Sequence, residues 1–298
     1  MKLRSIELIT PDAAKAAAFL TDIWGMAPAE QRGTTHYLRG SGTHPYLVAL
    51  EEGQEGVRST TFLCEETELA SLQKRVAESG LAAKPVVSED PGGGHGLIVE
   101  LPEGVLFRFL AGSAEAEPLD GRDLPVKLTH VVLNAADAEA AGDVAERVLG
   151  FQVSDRTKAM VFVRCNDSHH STAFARAGFS SLNHIAFEMA DIDAVFRGIG
   201  RLRDQKMAPA WGPGRHGPGA NVFAYFIAPF GAVVEFSTAV EKVADDYKVG
   251  APEDWTWPEN RIDHWGLSEK DNAALREAEQ RFRFHRDWVA APLATTAA

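Results

Sequence analysis

The sequence of 298 residues has little of what would tie it to an oxidising compartment, a membrane or a nucleic acid. Its two cysteines, Cys64 and Cys165, form no Cys-x-x-Cys pair, which argues against a disulfide scaffold or a thiolate zinc site. No run approaches the roughly 18 apolar residues of a membrane span, and no signal-peptide pattern opens the chain. The net charge is −12, whereas nucleic-acid surfaces are basic. We therefore expect a globular cytoplasmic protein that binds neither nucleic acid nor membrane.

What the sequence does contain is an internal repeat. The segments RSIELITPDAAKAAAFLTDIWGM (4–26) and THVVLNAADAEAAGDVAERVLGF (129–151) share one pattern: an alternating strand, an Asp, an Ala-rich helix and a Gly. The number of residues between the Asp and the Gly is the same in both. Gly25 and Gly150 lie where a helix end favours a left-handed residue.

Two further pairs of segments extend the repeat. STTFLCEETELASLQKRV (59–76) matches LNHIAFEMADIDAVFRGI (182–199), and each is a strand followed by a helix. LPEGVLFRFL (101–110) matches APFGAVVEFS (228–237), in which a Pro-x-Gly turn opens an apolar strand. The pattern predicts four strand–helix–strands units, near 4–52, 58–111, 127–176 and 181–238.

The rest of the chain separates and follows these units. Residues 112–126 are rich in Gly, Pro and acidic residues and are predicted to be a linker. A helix is predicted over 269–288, and the last residues, 290–298, are expected to fray. We predict an N-terminal domain without a metal site, a catalytic C-terminal domain and a C-terminal extension or lid, at 1–115, 127–240 and 241–298.

The second half carries metal-binding side chains where the first half does not. They are two histidines at strand starts and a glutamate on a last strand: His130, His184 and Glu235. Their repeat-equivalent residues are Ser5, Thr61 and Arg108. A single histidine at a strand start is usually structural, but three such residues in one half only favour a metal site. Two imidazoles and one carboxylate suit iron or manganese and leave coordination positions free.

Five segments of the second half resemble a known family: LTHVVL, HHSTAF, LNHIAFE, GPGRHGPGANVFAYFIAPFGAVVEF and RIDHWG. From about residue 4 to 266 the chain resembles the type I extradiol catechol dioxygenases of the vicinal oxygen chelate superfamily. The last two segments are most similar to the homoprotocatechuate 2,3-dioxygenase branch. The resemblance implies an α+β fold, in which four βαβββ units form two vicinal-oxygen-chelate barrel-like domains with a C-terminal helical extension.

The resemblance also implies roles for individual residues. It assigns His130, His184 and Glu235 to the metal, which would be Fe(II), with Mn(II) as the alternative. It carries the acid–base histidine onto His170 in HSTAF and leaves the role of the neighbouring His169 open. Two further residues would hydrogen-bond the reacting oxygens, His216 and Tyr225.

The activity implied is extradiol cleavage, in which dioxygen is inserted into a small aromatic diol next to its hydroxyls. The product would be of the hydroxymuconic semialdehyde type, the setting would be aromatic hydrocarbon catabolism, and the enzyme would be a homo-oligomer, a tetramer or larger. A metal-dependent glyoxalase-like isomerase or lyase of the same superfamily is the alternative; it does not need His170, His216 and Tyr225 together. A drug-binding module is a third interpretation, although such modules are usually shorter chains.

The sequence departs from the homoprotocatechuate branch at the substrate's side chain. Relatives there hold a carboxylate with two arginines, and the corresponding residues here are Trp211 and Ile262, while Arg261 and Arg215 remain. Losing both arginines removes the charge-assisted bonds that hold a carboxylate. We therefore predict a substrate with an uncharged substituent, in a pocket formed by Trp211, Ile262, Arg261 and His216.

Overall fold

The computed structural model describes residues 1–285 and the backbone of 291–292. The first half of the chain folds into β1 (Lys2–Thr10), α1 (Ala13–Ala18), β2 (Ala27–Arg32), β3 (Thr35–Arg39), β4 (Val48–Glu52), β5 (Gly56–Leu63), α2 (Glu66–Ser79), β6 (Ala82–Val87), β7 (His95–Glu100) and β8 (Leu106–Ala111). A π-helical turn, Phe19–Trp24, continues α1, and a 3-10 turn, Pro102–Gly104, precedes β8.

The second half repeats this order of elements. It comprises β9 (Lys127–Ala135), α3 (Ala138–Val144), β10 (Gln152–Arg156), β11 (Met160–Arg164), β12 (Thr172–Arg176), β13 (Ser181–Glu188), α4 (Ile192–Asp204), β14 (Trp211–Arg215), β15 (Val222–Ile227) and β16 (Val233–Thr238). A π-helical turn, Ala145–Leu149, again continues the first helix. Two short elements follow, α5 (Asn272–Ala278) and β17 (Ala291–Pro292).

Each half is one mixed sheet built from two βαβββ units, which confirms the predicted α+β fold. In every unit the last strand runs parallel to the first, and the first strands of the two units pair antiparallel, β1 with β5 and β9 with β13. The strand orders are β17-β6-β7-β8-β5-β1-β4-β3-β2 and β10-β11-β12-β9-β13-β16-β15-β14. The first strands of the units therefore lie at the centre of each sheet.

The Asp and Gly of the sequence repeat cap equivalent helices. The Asp12 and Asp137 carboxylates accept hydrogen bonds from the backbone N–H three residues later, which is the usual cap of a helix start. Gly25 and Gly150 end the π-helical turns with φ of 99° and 77°, a left-handed conformation that favours glycine. The repeat thus encodes the same helix boundaries twice.

The two halves are tied together by reciprocal contacts. Each of two arginines donates to two backbone carbonyls where the π-helical turn of the other half ends: Arg75 in α2 and Arg201 in α4. The buried Trp24 of the first half stacks on Phe236, with ring centroids 3.7 Å apart. Because Phe236 follows Glu235 on β16, the first half packs behind a strand that bears a site residue.

The C-terminal extension is less helical than the sequence suggests. A helix is predicted over 269–288, of which 286–288 lie outside the described residues; within the described part α5 spans only Asn272–Ala278. Beyond it Phe282 and Phe284 are buried, and the backbone of this segment bonds to β5 and β13, since Val57 donates to the Arg283 carbonyl and Leu182 to that of Phe282. Burying alternate residues requires an extended chain, so the helix stops.

Two statements about the chain as a whole complete the fold. The predicted frayed tail lies outside the described residues, apart from Ala291 and Pro292, whose backbone pairs with β6. Among the described residues, no helix is both long enough and apolar enough to cross a bilayer.

Candidate active site

Three neighbouring strands bring His130, His184 and Glu235 together. In the pairing register, Ala186 of β13 lies opposite His130 of β9 on one side and Glu235 of β16 on the other. His184 is two residues before Ala186. Cross-strand partners share a face of a sheet, and so do residues two apart on one strand. The small Ala186 leaves room for three side chains that converge on that face.

The three ligand atoms form a nearly equilateral triangle. The Oε2 atom of Glu235 lies 3.2 Å from Nε2 of His130 and 3.2 Å from Nε2 of His184, and the two nitrogens are 3.3 Å apart. Ligands at right angles around a metal, with bonds of about 2.1 Å, would lie about 3 Å apart. The triangle therefore matches one face of an octahedral metal site.

The hydrogen bonding of His184 leaves its Nε2 atom free to bind a metal and not to donate a hydrogen bond. Its Nδ1–H donates to the Asn183 amide oxygen at 2.7 Å, and Asn183 is held in turn by Asn134. The neutral ring then presents a lone pair on Nε2. A lone pair beside a carboxylate oxygen is repulsive without a cation, so these residues fit a bound divalent metal.

Burial sets the electrostatics of the triangle. Loss of solvent raises the pKa of the Glu235 carboxyl, but the two neighbouring imidazoles, His130 most of all, outweigh this and hold it well below its usual range. Burial lowers the pKa of His184, against the opposing effect of Glu235. The carboxylate is thus charged and the imidazole neutral, which are the forms that bind metals.

The corresponding place in the first half is occupied by a guanidinium. Arg108 donates to Thr61 Oγ1 at 2.9 Å and pairs with Glu7 at 3.0 Å and with Asp90. Ser5 donates to the same Glu7 carboxylate. Within the part of the chain that the structure describes, His130, His184 and Glu235 are the one cluster of three side chains spaced to hold a metal.

His169 and His170 are both buried, at 0% and 3% exposure. The ring of His170 lies 4.2 Å from that of His130 between centroids, and it lines the same cavity. Burial, followed by the neighbouring histidines, lowers its pKa well below the ordinary value, so the ring is neutral at pH 7. His169 turns away from this cavity and bonds through Nε2 to the Asp155 carboxylate at 2.6 Å.

Tyr225 and His216 lie on the other side of the triangle. The Tyr225 hydroxyl is 3.0 Å from His216 Nε2 and 3.5 Å from His184 Nε2. Burial lowers the pKa of His216 to about 3. Burial, helped by the nearby Glu235 charge, raises the pKa of Tyr225 well above its ordinary value. Near neutral pH the pair is therefore a neutral imidazole beside a protonated phenol.

These side chains open onto a cavity of about 690 Å³. Trp211 lines it and stacks on Tyr225, with ring centroids 5.3 Å apart. Ile262 also lines it and is 47% exposed, so it lies at the rim. Arg261, which the sequence placed beside the substrate, is exposed and is not among the residues that line the cavity.

Several lining residues were not anticipated from the sequence. Lys270 comes from the segment before α5, and its Nζ lies 4.7 Å from the centroid of the Trp211 ring. Asn221 donates to Oε1 of Glu235 at 3.1 Å and so orients the carboxylate. Glu279 follows α5 and also faces the cavity. Asn183 could have been predicted from the sequence because it is adjacent to His184. Lys270 and Glu279 lie outside the repeat, so no feature of the sequence pointed to them.

The chain is similar to a family model and to a known enzyme. A family model described as Glyoxalase/Bleomycin resistance protein/Dioxygenase superfamily matches residues 127–236. A metapyrocatechase 2 from Cupriavidus necator is 26% identical over 291 residues, which covers 87% of each chain.

Two solved structures share the fold. A Mn(II)-bound glyoxalase from Novosphingobium aromaticivorans is 29% identical, with a TM-score of 0.84, and the match covers 92% of this chain and 93% of that one. A homoprotocatechuate 2,3-dioxygenase from Brevibacterium fuscum is 19% identical, with a TM-score of 0.77 over 84% of this chain and 74% of that one. The second likeness concerns the fold alone.

Proposed function

We propose that the protein is an extradiol ring-cleaving dioxygenase, and the match of residues 127–236 to the glyoxalase and dioxygenase superfamily model supports this. One observation carries the proposal: the triangle of His130, His184 and Glu235 opens onto a cavity that also holds His170, His216 and Tyr225. The relative named metapyrocatechase 2, which matches over most of its length, supports the same class of activity.

The proposed cofactor is a divalent metal held by His130, His184 and Glu235. We propose Fe(II), with Mn(II) as the alternative, because imidazole and carboxylate ligands suit both. When bound, such a metal would bring the diol and dioxygen together and pass electron density between them. The Asn221 bond to Glu235 and the Asn183 bond to His184 would keep the ligands oriented for it.

The chain's own residues would manage protons and charge. His170 would accept the proton of one diol hydroxyl, since it is neutral and lines the cavity beside His130. Tyr225 and His216 would hydrogen-bond the reacting oxygens, because their joined side chains lie next to His184. The side chains that wall the cavity would keep bulk water from the reacting atoms.

For the substrate we propose a catechol with an uncharged substituent that packs against Trp211 and Ile262. Both side chains face the cavity, and neither can offer a charge-assisted bond to a carboxylate. The product would be a hydroxymuconic semialdehyde or its analogue. Arg261 and His216 complete the proposed substrate contacts, although Arg261 would first have to turn inward.

A glyoxalase-like isomerase or lyase is the second candidate, because the Mn(II)-bound glyoxalase covers 92% of this chain with a TM-score of 0.84. That chemistry needs the metal and one base. A glyoxalase-type reaction would not use the hydrogen-bonded pair of His216 and Tyr225, and we favour the dioxygenase for this reason.

Oxygen uptake separates the two candidates. The protein would be reconstituted anaerobically with Fe(II) or with Mn(II), and the metal content would be measured on the same samples. We expect catechols to consume dioxygen and give a yellow ring-opened product. Isomerisation of a hemithioacetal of glutathione without oxygen uptake, together with intact catechols, would overturn the proposal in favour of the glyoxalase.

We further propose that the protein is cytoplasmic and forms a homo-oligomer of four or more chains. Sedimentation analysis would test the number of chains.

A further inference from the structure

A chain of hydrogen bonds leads from Asp155 to His170, and the proposed function makes no use of its first two members. His169 Nε2 lies 2.6 Å from Asp155 Oδ2, and His169 Nδ1 lies 3.0 Å from His170 Nδ1. Asp155 and His169 are both 0% exposed and His170 is 3% exposed. The chain runs from the interior towards the cavity and ends at a residue that lines it.

Asp155 is itself firmly held. Its Oδ1 accepts a bond from the Gly250 backbone N–H at 2.7 Å, and its Oδ2 accepts a second bond from the Tyr247 hydroxyl at 3.3 Å. Both donors belong to the segment after β16, which thus closes over β10. A buried carboxyl without partners would be very unfavourable, and these contacts supply Asp155 with hydrogen-bond donors.

These contacts determine where the protons lie. The Gly250 backbone N–H can only donate, so Asp155 acts as an acceptor, and His169 donates to it from Nε2 across the 2.6 Å contact. The Nδ1 atom of a neutral His169 is then an acceptor, and the short contact requires His170 to donate from its own Nδ1. The Nε2 atom of His170 is left with a lone pair, and it has no hydrogen bond to any other described residue.

The opposite arrangement is electrostatically unfavourable. A doubly protonated His169 could donate to His170 and place the His170 proton on Nε2. It would also add a positive charge to the buried cluster that must hold the cation of the proposed metal site. Two positive charges in one dry interior repel each other.

We propose that Asp155 and His169 are positioning residues that fix the tautomer of His170, so that its Nε2 is always free to accept a proton. The link to catalysis rests on the proposed function. A diol O–H bond would break as the N–H bond forms at His170 Nε2. The imidazolium would keep its Nδ1–H bond to His169, and the negative charge of Asp155 would stabilise it through that ring. Returning the proton restores the starting tautomer.

The test compares two substitutions of one histidine. In His169→Phe the acceptor is lost while ring and bulk are kept. In His169→Asn the amide oxygen can stand where Nδ1 stood and accept from His170. The matched control is His44→Phe, which makes the same change at a buried histidine of the first half. Thermal melting of all four proteins shows that each is folded.

Two readouts are needed. The first is the tautomer of the His170 ring, measured by long-range 1H–15N correlation on ¹⁵N-histidine-labelled protein loaded with diamagnetic Zn(II), with His170→Asn used for assignment. The second is steady-state kinetics of the Fe(II)-loaded protein. We expect the Nδ1–H tautomer in the wild type, His44→Phe and His169→Asn, and its loss in His169→Phe. We expect kcat of His169→Phe to fall about 100-fold or more with KM and iron content unchanged, and His169→Asn to recover most of it.

The outcomes are distinct. An Nε2–H tautomer in the wild type, or an unchanged tautomer in His169→Phe, would overturn the inference. So would a loss of kcat in His169→Asn as large as that in His169→Phe. If the wild type cleaves no catechol, the proposed function fails, yet the tautomer measurement still decides the inference by itself.

Discussion

Tyr225 and Glu235 face each other directly across β15 and β16, ten residues apart in the chain. The turn between the strands makes this pair cross-strand neighbours on one face of the sheet. The phenol therefore lies beside the candidate metal ligands, with its hydroxyl 3.5 Å from His184 Nε2. This relationship places the Tyr225 phenol on the same side of the cavity as the candidate metal ligands.

Tyr225→Phe is expected to lower kcat about 100-fold, as is usual when one donor to a developing charge is removed. The ring remains stacked on Trp211, so KM and metal content should change little. Steady-state kinetics with metal analysis check this. Tyr37→Phe is the matched control, because it removes a phenol that bonds Asp90 in the first half. Equal losses in both variants would contradict a role at the site.

Glu235→Gln is expected to abolish metal binding, since a charged oxygen 3.2 Å from both histidines becomes a neutral amide. The loss should be at least as large as the 10–100-fold typical for residues that only support a ligand. Elemental analysis after anaerobic loading measures it. Glu7→Gln is the control: it should retain the metal but destabilise the protein by about 3–5 kcal/mol, because it leaves Arg108 without this buried partner. Full metal content in Glu235→Gln would refute the ligand assignment.

Catechols with alkyl or aryl substituents should be turned over with kcat/KM about 10-fold or more above those with a carboxylate, since a missing charge-assisted bond costs about 1.5–3 kcal/mol. A panel followed at the absorbance of the ring-opened product checks this. Lys270→Met is the informative variant, because Lys270 brings a positive charge to within 4.7 Å of the Trp211 ring. A preference for acids that vanishes in Lys270→Met would show that Lys270 replaces the missing arginines.

His44 should make the stability of the first half depend on pH. Burial, reinforced by Arg4 and Lys127, lowers its pKa to about 4 from the ordinary 6.5. Above pH 6.5 the ring is neutral in both states and has no effect. Between pH 6.5 and 4 only the unfolded state takes up the proton, so stability falls as the pH falls, by about 2 kcal/mol at pH 5.

Denaturant unfolding at pH 7 and pH 5 tests this dependence on the wild type and on His44→Phe. The variant should lose about 2 kcal/mol less than the wild type on going to pH 5. The same loss in both proteins would show that His44 is not the titrating group.

The positions of the site residues were largely accessible from the sequence, for a local reason. Strand alternation, helix N-caps and the glycines that end helices are each determined by a few neighbouring residues. The twofold repeat shows each of these patterns twice. Because His130, His184 and Glu235 differ from their repeat-equivalent residues, a comparison of the two halves could single them out. Their assignment as ligands stays a proposal, although the structure brings them together.

Only the tertiary structure decided how distant segments meet. In the sequence His169 is adjacent to His170, but its hydrogen-bond partner in the structure is Asp155 on β10. Asp155 is held in turn by the Gly250 backbone, which lies beyond the last repeat unit. Within the described part of the predicted helix over 269–288, α5 ends at Ala278, because Phe282 and Phe284 are both buried in an extended segment. Lys270 reaches the cavity because that segment folds back over Trp211. Such contacts depend on which long-range packing buries the most apolar surface, and no periodicity within a segment records that choice.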